Sequence, residues 1–366
     1  MKKVLLLTQH LDAGGIEINS INILKNINKQ KFDISFMCCE SNYNYYEDYI
    51  EKLGAKVYKG VYISGVINKL VFCKTLYQLL VRHKFDVVHS NMGIFDIFTL
   101  LTATLARVPI RISHAHFTQS QYAHSWMKNK TIALLRNIFR HSIFLFANTK
   151  IGCSQAANDY CFGKQANAQI IYNGIEVNLF QKAEASTNNL FKRSHGIKHN
   201  ILTIGRIVYL KNPMFIAQTI LELSRIRKDF RFIWVGVGAM ENDVKVFVKN
   251  NNIDSIVIFL QKQSDIKGIL KASDIFLLPS LAEGLGLSAV EAQISGLDCF
   301  VSDKIPTEAI LGKCVTLPLE KGARHWAEKI SEHLDSGLSL TIDEVKKMKF
   351  DIKYTVKEIE KIYEGI

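Results

Sequence analysis

The stretch Asp274-Ile275-Phe276-Leu277-Leu278-Pro279-Ser280-Leu281-Ala282-Glu283-Gly284-Leu285-Gly286-Leu287-Ser288-Ala289-Val290-Glu291-Ala292 decides the fold. Its first five residues form an apolar run that reads as a buried strand, the glycines make a turn, and a helix follows. A strand that opens through glycines into a helix N-terminus is an anion site, because unpaired backbone N–H groups and the positive end of the helix dipole face the turn. Glu283 and Glu291 stand eight positions apart across it. Carboxylates there would repel phosphate, so their use is to accept hydrogen bonds from hydroxyls flanking the phosphates, a sugar on one side and a ribose on the other. Ser288-Ala289-Val290-Glu291 also fits a capping box, in which Glu291 merely caps its own helix. A capping role accounts for neither Glu283 nor the glycines.

Outward from this stretch the same alternation of strand and helix runs through the chain, which predicts a parallel sheet covered on both faces. Val4–Thr8 reads as the first strand, and Leu11-Asp12-Ala13-Gly14-Gly15-Ile16-Glu17 as a turn opening a helix. This turn is not Gly-x-Gly-x-x-Gly, so a dinucleotide fingerprint is absent. The paired glycines either admit a ligand close to the backbone or make a plain strand–helix turn. Further strands are expected at 34–38, 56–58, 86–89, 110–113, 149–153 and 169–172, with helices near 45–53, 66–83, 93–107, 127–142 and 154–161. The polar stretch 181–200, with Ala-Ser-Thr-Asn-Asn at 185–189, has linker composition. A second alternating series then starts at Ile201 and includes strands at 230–235, 255–260 and 299–302. The tail, 342–363, reads as one charged helix with Val345, Met348, Ile352, Val356, Ile359 and Ile362 at helical spacing.

At 366 residues, two domains of ordinary size are expected. The boundaries are 1–180 for the first, 181–200 for a linker, 201–341 for the second, and 342–366 for a tail helix packing back towards the first. With 48% hydrophobic and 22% charged residues the chain is globular rather than disordered. Met1–Thr8 carries an apolar run too short for a signal peptide, and nothing approaches the roughly 18 apolar residues of a membrane span. Seven cysteines without a Cys-x-x-Cys pair suggest neither a disulfide framework nor structural zinc, so a reducing cytosol is expected.

The net charge of +12 calls for an anionic partner or surface. Nucleic acid is disfavoured, because no helix-turn-helix, zinc-finger or RNP-like pattern occurs and the cations are scattered. Basic amphipathic helices at 66–84 (Lys69, Lys74, Arg82, His83, Lys84) and 127–142 (Lys128, Lys130, Arg136, Arg140) either lie on an anionic membrane or pack an apolar stripe into the core. Arg206 and Lys211 follow the strand starting at Ile201, where a guanidinium fork and a mobile ammonium can neutralise a diphosphate. They are otherwise ordinary loop charges. No Asp-x-Asp is present, which argues against Mg²⁺-diphosphate binding. His114 and His116 follow a strand at the end where open α/β sheets bind ligands, although core or surface histidines are the commoner case.

Taken in order, Asp12–Glu17, Asp86–Ser90, Arg111–His116, Ile151–Ser154, Phe162-Gly163, Ile171–Glu176, Gly205-Arg206, Lys211-Asn212-Pro213, Asp274–Gly296 and Val301–Asp303 resemble the family 4 retaining glycosyltransferases. The likeness is to the bacterial capsule and exopolysaccharide group and covers nearly the whole chain. It implies the GT-B fold: α/β, two Rossmann-like βαβ domains facing across a cleft, the first binding acceptor and the second nucleotide-sugar. It also implies a cytoplasmic enzyme, peripheral on the inner face of the membrane where that anionic surface is a partner. The implied reaction moves a sugar from a nucleotide-sugar to a glycan or lipid-linked saccharide, with retention and without metal or other cofactor. UDP-sugar is the favoured donor, and Gln261, where the group usually has glycine after Ile258-Phe259-Leu260, leaves GDP open.

Carried over by position, the resemblance gives Glu291 the ribose hydroxyls and Glu283 those of the donor sugar. Gly284, Leu285 and Gly286 give backbone N–H groups to sugar and diphosphate, and Arg206 and Lys211 stabilise the leaving diphosphate. Gly14 and Gly15 let the first domain's loop approach the donor, and His116 sits over the donor sugar, with His114 competing for that role. A sugar-nucleotide 2-epimerase of the same architecture is the alternative, but it needs acid/base groups on both ring faces, and no such set is evident.

Overall fold

The computed structural model describes residues 1–366 except 12–13, 40–44, 62, 64, 119–136, 138–139, 187–195 and 262. The chain forms two compact units, Met1–Ile175 with Lys349–Ile366, and Glu176–Met348. The first holds strands β1 (Lys2–Thr8), β2 (Phe32–Cys38), β3 (Lys56–Lys59), β4 (Val87–Ser90), β5 (Ile110–Ala115), β6 (Thr149–Gly152) and β7 (Gln169–Ile170). They pair in parallel in the order β3-β2-β1-β4-β5-β6-β7. The order reverses between β1 and β4, the switch point where open sheets of this kind bind ligands beyond their strand ends.

β1 shows why its sequence is an unbroken apolar run: both of its faces are covered. Val4 and Leu6 pack with Ile21 and Leu24 of the helix Gly15–Asn26 and with Ile352, Val356, Ile359 and Tyr363 of the tail helix Ile352–Glu364. Leu5 and Leu7 point the other way, to Phe72, Leu76 and Leu80 of the helix Gly65–His83.

The second unit holds β8 (His199–Ile204), β9 (Phe230–Val235), β10 (Val257–Leu260), β11 (Ile275–Leu278), β12 (Asp298–Ser302) and β13 (Cys314–Leu317), parallel in the order β10-β9-β8-β11-β12-β13. The helices Pro213–Ile226 and Gly322–Ser336 supply Ile216, Ile220, Trp326 and Ile330 to its core against Phe230, Phe232 and Phe300. Lys313 and His333 both bind Asp298, at 2.6 and 2.9 Å, which ties the sheet edge to the helix over it.

Several elements differ from expectation. The tail is two helices, Glu344–Met348 in the second unit and Ile352–Glu364 in the first. The break falls where Phe350 is buried and Asp351 turns extended, its carboxylate capping Lys353 N–H at 2.8 Å. β13 and the short helices Val177–Gln181 and Ile266–Lys271 were not anticipated. Each has six residues or fewer, too short for either period to show. The expected basic helix at 127–142 lies mostly outside the described residues.

The tail helix is held at both ends. Ile175 and Asp351 form a parallel bridge, Ile352 N–H donates to Ile175 O at 2.8 Å, and Lys2 Nζ donates to Tyr363 O and Glu364 O at 3.0 Å each. Gly174 lies so close beneath it that a Cβ there would come within 2.8 Å of Ile352 Cα. Ile359 is fully buried in this layer. Ile359→Ala is expected to cost about 2–5 kcal/mol through lost burial and the cavity left. Denaturant unfolding followed by hydrogen exchange checks this, with protection lost across β1–β7 and unchanged across β8–β13.

Candidate functional site

In the second unit the loops leaving β8 and β11 are fastened together. After β8, Gly205 and Arg206 lead into a short turn, Tyr209–Lys211, then Asn212 in the left-handed region (φ 54°) and Pro213 at the start of the next helix. Leu281 N–H donates to Leu210 O at 2.8 Å, and Lys211 Nζ makes an ion pair with Glu283 Oε1. Ser280 Oγ donates to the same carboxylate at 2.7 Å, and Ser302 Oγ holds Ser280 O at 2.6 Å. The structure therefore joins Lys211 and Glu283, which the sequence could only assign separately. Arg206 is exposed at the end of β8. Its loop packs backbone to backbone on the next one: a Cβ at Gly236 would meet Gly205 O at 2.1 Å, and one at Gly238 would meet Ile207 O at 2.3 Å.

Gly286, at φ 87°, is the N-cap of the helix Leu287–Ile294, and Leu285 beside it is buried. With Leu287 the first helical residue, Ser288 is the second and Glu291 the fifth, two residues beyond the capping-box position. Glu291 is thus not its own helix's cap. It is half-buried but densely surrounded, and desolvation pushes its carboxyl up to about 7, with the Lys267 ammonium pulling the other way. Lys267 belongs to the unanticipated helix Ile266–Lys271.

In the first unit Gly14 is the N-cap of the helix Gly15–Asn26, and a Cβ on Gly15 would face open space. His114, on β5, is buried with Nδ1 3.0 Å from His89 Nε2. His116, just past β5, places Nε2 2.9 Å from Asn91 Oδ1. The two rings stand 3.9 Å apart at their centroids. Among the described residues, His114 Nε2, His116 Nδ1 and Asn173 Oδ1 are buried without a partner. Burial, aided by the neighbouring His116, holds His89 down to about 3; burial does the same to His116, with the nearby Asn173 amide pulling the other way, and places His114 well below its ordinary value. All three rings are neutral at physiological pH.

Asp96 joins the strands that carry these residues. Its carboxylate takes Ser90 Oγ at 2.6 Å, Met92 N–H at 2.9 Å and Ser113 Oγ, from the ends of β4 and β5. Burial pushes it up to about 7 against those bonds. His89, Asn91, Asp96 and Lys267 had no role in the sequence assignment, since each works through a neighbour distant in sequence. Among the described residues, no three His, Cys, Asp or Glu side chains are grouped to hold a metal ion.

Two parallel α/β units, with a basic residue, two glutamates and a glycine-capped helix at the strand ends of the second, define the class of sugar-transferring enzymes with the GT-B fold. Residues 13–179 match the Glycosyltransferase Family 4 model and residues 198–336 match Glycosyl transferases group 1. The chain belongs to the family 4 glycosyltransferases. It is 28% identical over 346 residues to the glycosyltransferase EpsF of Bacillus subtilis (strain 168), covering 92% of this chain and 88% of that one. It is also 28% identical over 308 residues to the Escherichia coli UDP-Gal:alpha-D-GlcNAc-diphosphoundecaprenol alpha-1,3-galactosyltransferase, covering 79% and 76%. Anabaena HepE, solved with UDP and glucose, superposes over the full length of both chains with a TM-score of 0.81 at 16% identity, a likeness of fold.

Asp96→Ala is expected to destabilise the protein by about 3 kcal/mol or more, since it strands two buried hydroxyls and an N–H. Because the folded carboxyl titrates near 7 rather than near 3.8, its contribution is complete below pH 3.8 and is lost as pH rises through 7. Denaturant midpoints between pH 4 and 8 should therefore lose that slope in Asp96→Asn.

Proposed function

We propose that this chain is a retaining, metal-independent glycosyltransferase of bacterial surface-polysaccharide synthesis. It moves a hexose or N-acetylhexosamine from a UDP-sugar to a lipid-linked saccharide. The observation that carries this is the fastened pair of loops in the second unit, with Lys211 and Glu283 joined and Gly286 capping the helix that follows. Arg206 and Lys211 neutralise the leaving diphosphate, and Gly284, Leu285 and Gly286 offer backbone N–H groups to it and to the sugar. Glu283 and Glu291 accept hydroxyls of the sugar and the ribose. The open space at Gly15 admits the donor, and His116, with Nδ1 unpaired, serves the donor sugar. The acceptor attacks the face the diphosphate leaves, and the leaving phosphate takes its proton. Such a path depends on charge stabilisation at the leaving group rather than on a protein nucleophile. The UDP and glucose of the HepE complex support the donor, and the name of the E. coli relative supports a diphosphoundecaprenol-linked acceptor.

We also propose that the chain works on an anionic membrane surface on the cytoplasmic side. Supporting this is the outer face of the helix Gly65–His83, where Val66, Ile67 and Leu70 are 73%, 76% and 67% exposed. Val71, Tyr77 and Val81 continue that face, and 65–84 contains Lys69, Lys74, Arg82 and Lys84 without a single carboxylate. Exposed aliphatics beside unopposed cations suit an anionic bilayer, where each cation near the surface adds about 1 kcal/mol. No described helix is long and apolar enough to cross a membrane.

Thermal shift with UDP-, GDP- and ADP-sugars tests the donor. A UDP-sugar at about a hundred times its Kd should stabilise by about 2.7 kcal/mol, and more strongly at pH 8 than at pH 6, because Glu291 must ionise near 7 to accept two hydroxyls. Arg206→Ala should fold normally and release UDP at least about tenfold more slowly, consistent with about 2–4 kcal/mol for one lost donor to a developing anion. Wild-type turnover in that variant would remove Arg206 from the mechanism. For the membrane, Val66→Ser/Ile67→Ser/Leu70→Ser should stop co-sedimentation with phosphatidylglycerol vesicles; wild-type protein that ignores such vesicles at moderate salt would refute docking.

A further inference from the structure

The buried histidines of the first unit are tied to the far end of the chain. Tyr363, fully buried on the tail helix, places its hydroxyl 2.8 Å from His89 Nδ1. His89 Nε2 is 3.0 Å from His114 Nδ1, and the His114 ring lies against His116. Asn91 fixes the last member, because its Nδ2 donates to Leu7 O at 3.3 Å and leaves Oδ1 as the acceptor from His116 Nε2–H. A neutral His116 then keeps a bare Nδ1.

The protons of the other members follow from counting partners. Burial holds the Tyr363 phenol protonated and the histidines neutral. Suppose Tyr363 donates to His89 Nδ1 and His89 Nε2–H donates to His114 Nδ1. The chain is then satisfied except for one N–H, at His114 Nε2. The reverse direction strands both the tyrosine proton and the His114 Nε2 lone pair. One buried orphan costs less than two, so the first direction holds. The cluster is left with one unmet donor, His114 Nε2–H, and two unmet acceptors, His116 Nδ1 and Asn173 Oδ1. Hydroxyl groups, which both give and take a proton bond, are the complement of that set.

We propose that Tyr363, His89 and His114 are positioning residues for the sugar site: the tail-helix tyrosine, through His89, locks His114 as a donor and so fixes the ring against which His116 is held. The proposal rests on His116 serving the donor sugar. It makes seating of the last helix a condition for a competent histidine, so that Tyr363 acts on the reaction without touching substrate.

Long-range ¹H–¹⁵N spectra of the ¹⁵N-histidine protein at pH 7 test this directly. Expected are three neutral rings, each protonated at Nε2. In Tyr363→Phe, which keeps the ring packing, the nitrogens of His89 and His114 should both shift and the His116 signals should follow. In His89→Gln, whose amide can accept from Tyr363 and donate onward, His114 should keep its tautomer. With the UDP-sugar that stabilises the protein, Tyr363→Phe should lower kcat roughly tenfold, the worth of one neutral hydrogen bond, with KM and UDP affinity unchanged. A folded Tyr363→Phe in which only His89 responds, or none of the rings does, overturns the chain, as does a wild-type His114 protonated at Nδ1. If instead the signals behave as expected while His116→Ala turns over normally, the role of His116 is what fails.

Discussion

The first unit depends on a helix that the chain delivers last. β1 has apolar side chains on both faces, and one face is covered jointly by the helix that follows it and by the helix Ile352–Glu364. Burial of Ile352, Val356, Ile359 and Tyr363 completes a layer begun some 330 residues earlier, and the contact is fixed in register rather than merely apolar. Gly174 admits Ile352 at a distance no side chain would allow, Ile175 bridges Asp351, and Lys2 caps the helix's last carbonyls where the dipole is negative. The same seating carries the Tyr363 hydroxyl to His89 on the central strand β4.

In the second unit the corresponding constraint is polar. The loops after β8 and β11 come from adjacent strands, and their closeness follows from sheet order. That closeness lets Lys211 neutralise Glu283 while Ser280 and Ser302 fix the carboxylate's orientation. A lysine bound to a carboxylate is a weaker anion trap than a lone one, yet it is held in place. On the proposed function, placement is what the developing charge on the leaving group needs, since a preorganised donor does not reorganise during the reaction.

The fold was legible where a single period governed many residues. The runs at Val4–Thr8, Ile201–Ile204 and Asp274–Leu278 are buried on both sides and show it, and the glycines at 284–286 mark the left-handed cap that the structure puts at Gly286. β13 was not legible, because a four-residue edge strand with an exposed Thr316 carries no pattern. Nor was the break at Phe350-Asp351, where tertiary pairing with Ile175 overrides helical spacing that runs on through it. The site followed the same division. Residues within one turn of a glycine motif could be named, whereas the pairing of Lys211 with Glu283 and the bonds of His89 with Tyr363 depend on which strands are neighbours, and sequence distance hides that.

The two units carry different chemistry at their strand ends. The second has Arg206 and the Lys211–Glu283 ion pair at its strand ends, with the Glu291 carboxyl pushed up to about 7. The first has three histidines held uncharged by burial and the amides of Asn91 and Asn173 beside His116, with the Asp96 carboxyl pushed up to about 7. A cationic imidazole there would be a buried charge without a counter-ion, beside two further rings. On the proposed function, keeping the rings neutral leaves the charge of the leaving group to the second unit. It confines the first unit to hydrogen bonds, which can distinguish one hydroxyl arrangement from another because an unmet buried partner is costly. On the proposed function, the second unit would supply the driving force for departure, and sugar selectivity would reside partly in the protonation pattern of a histidine cluster tied to the helix Ile352–Glu364.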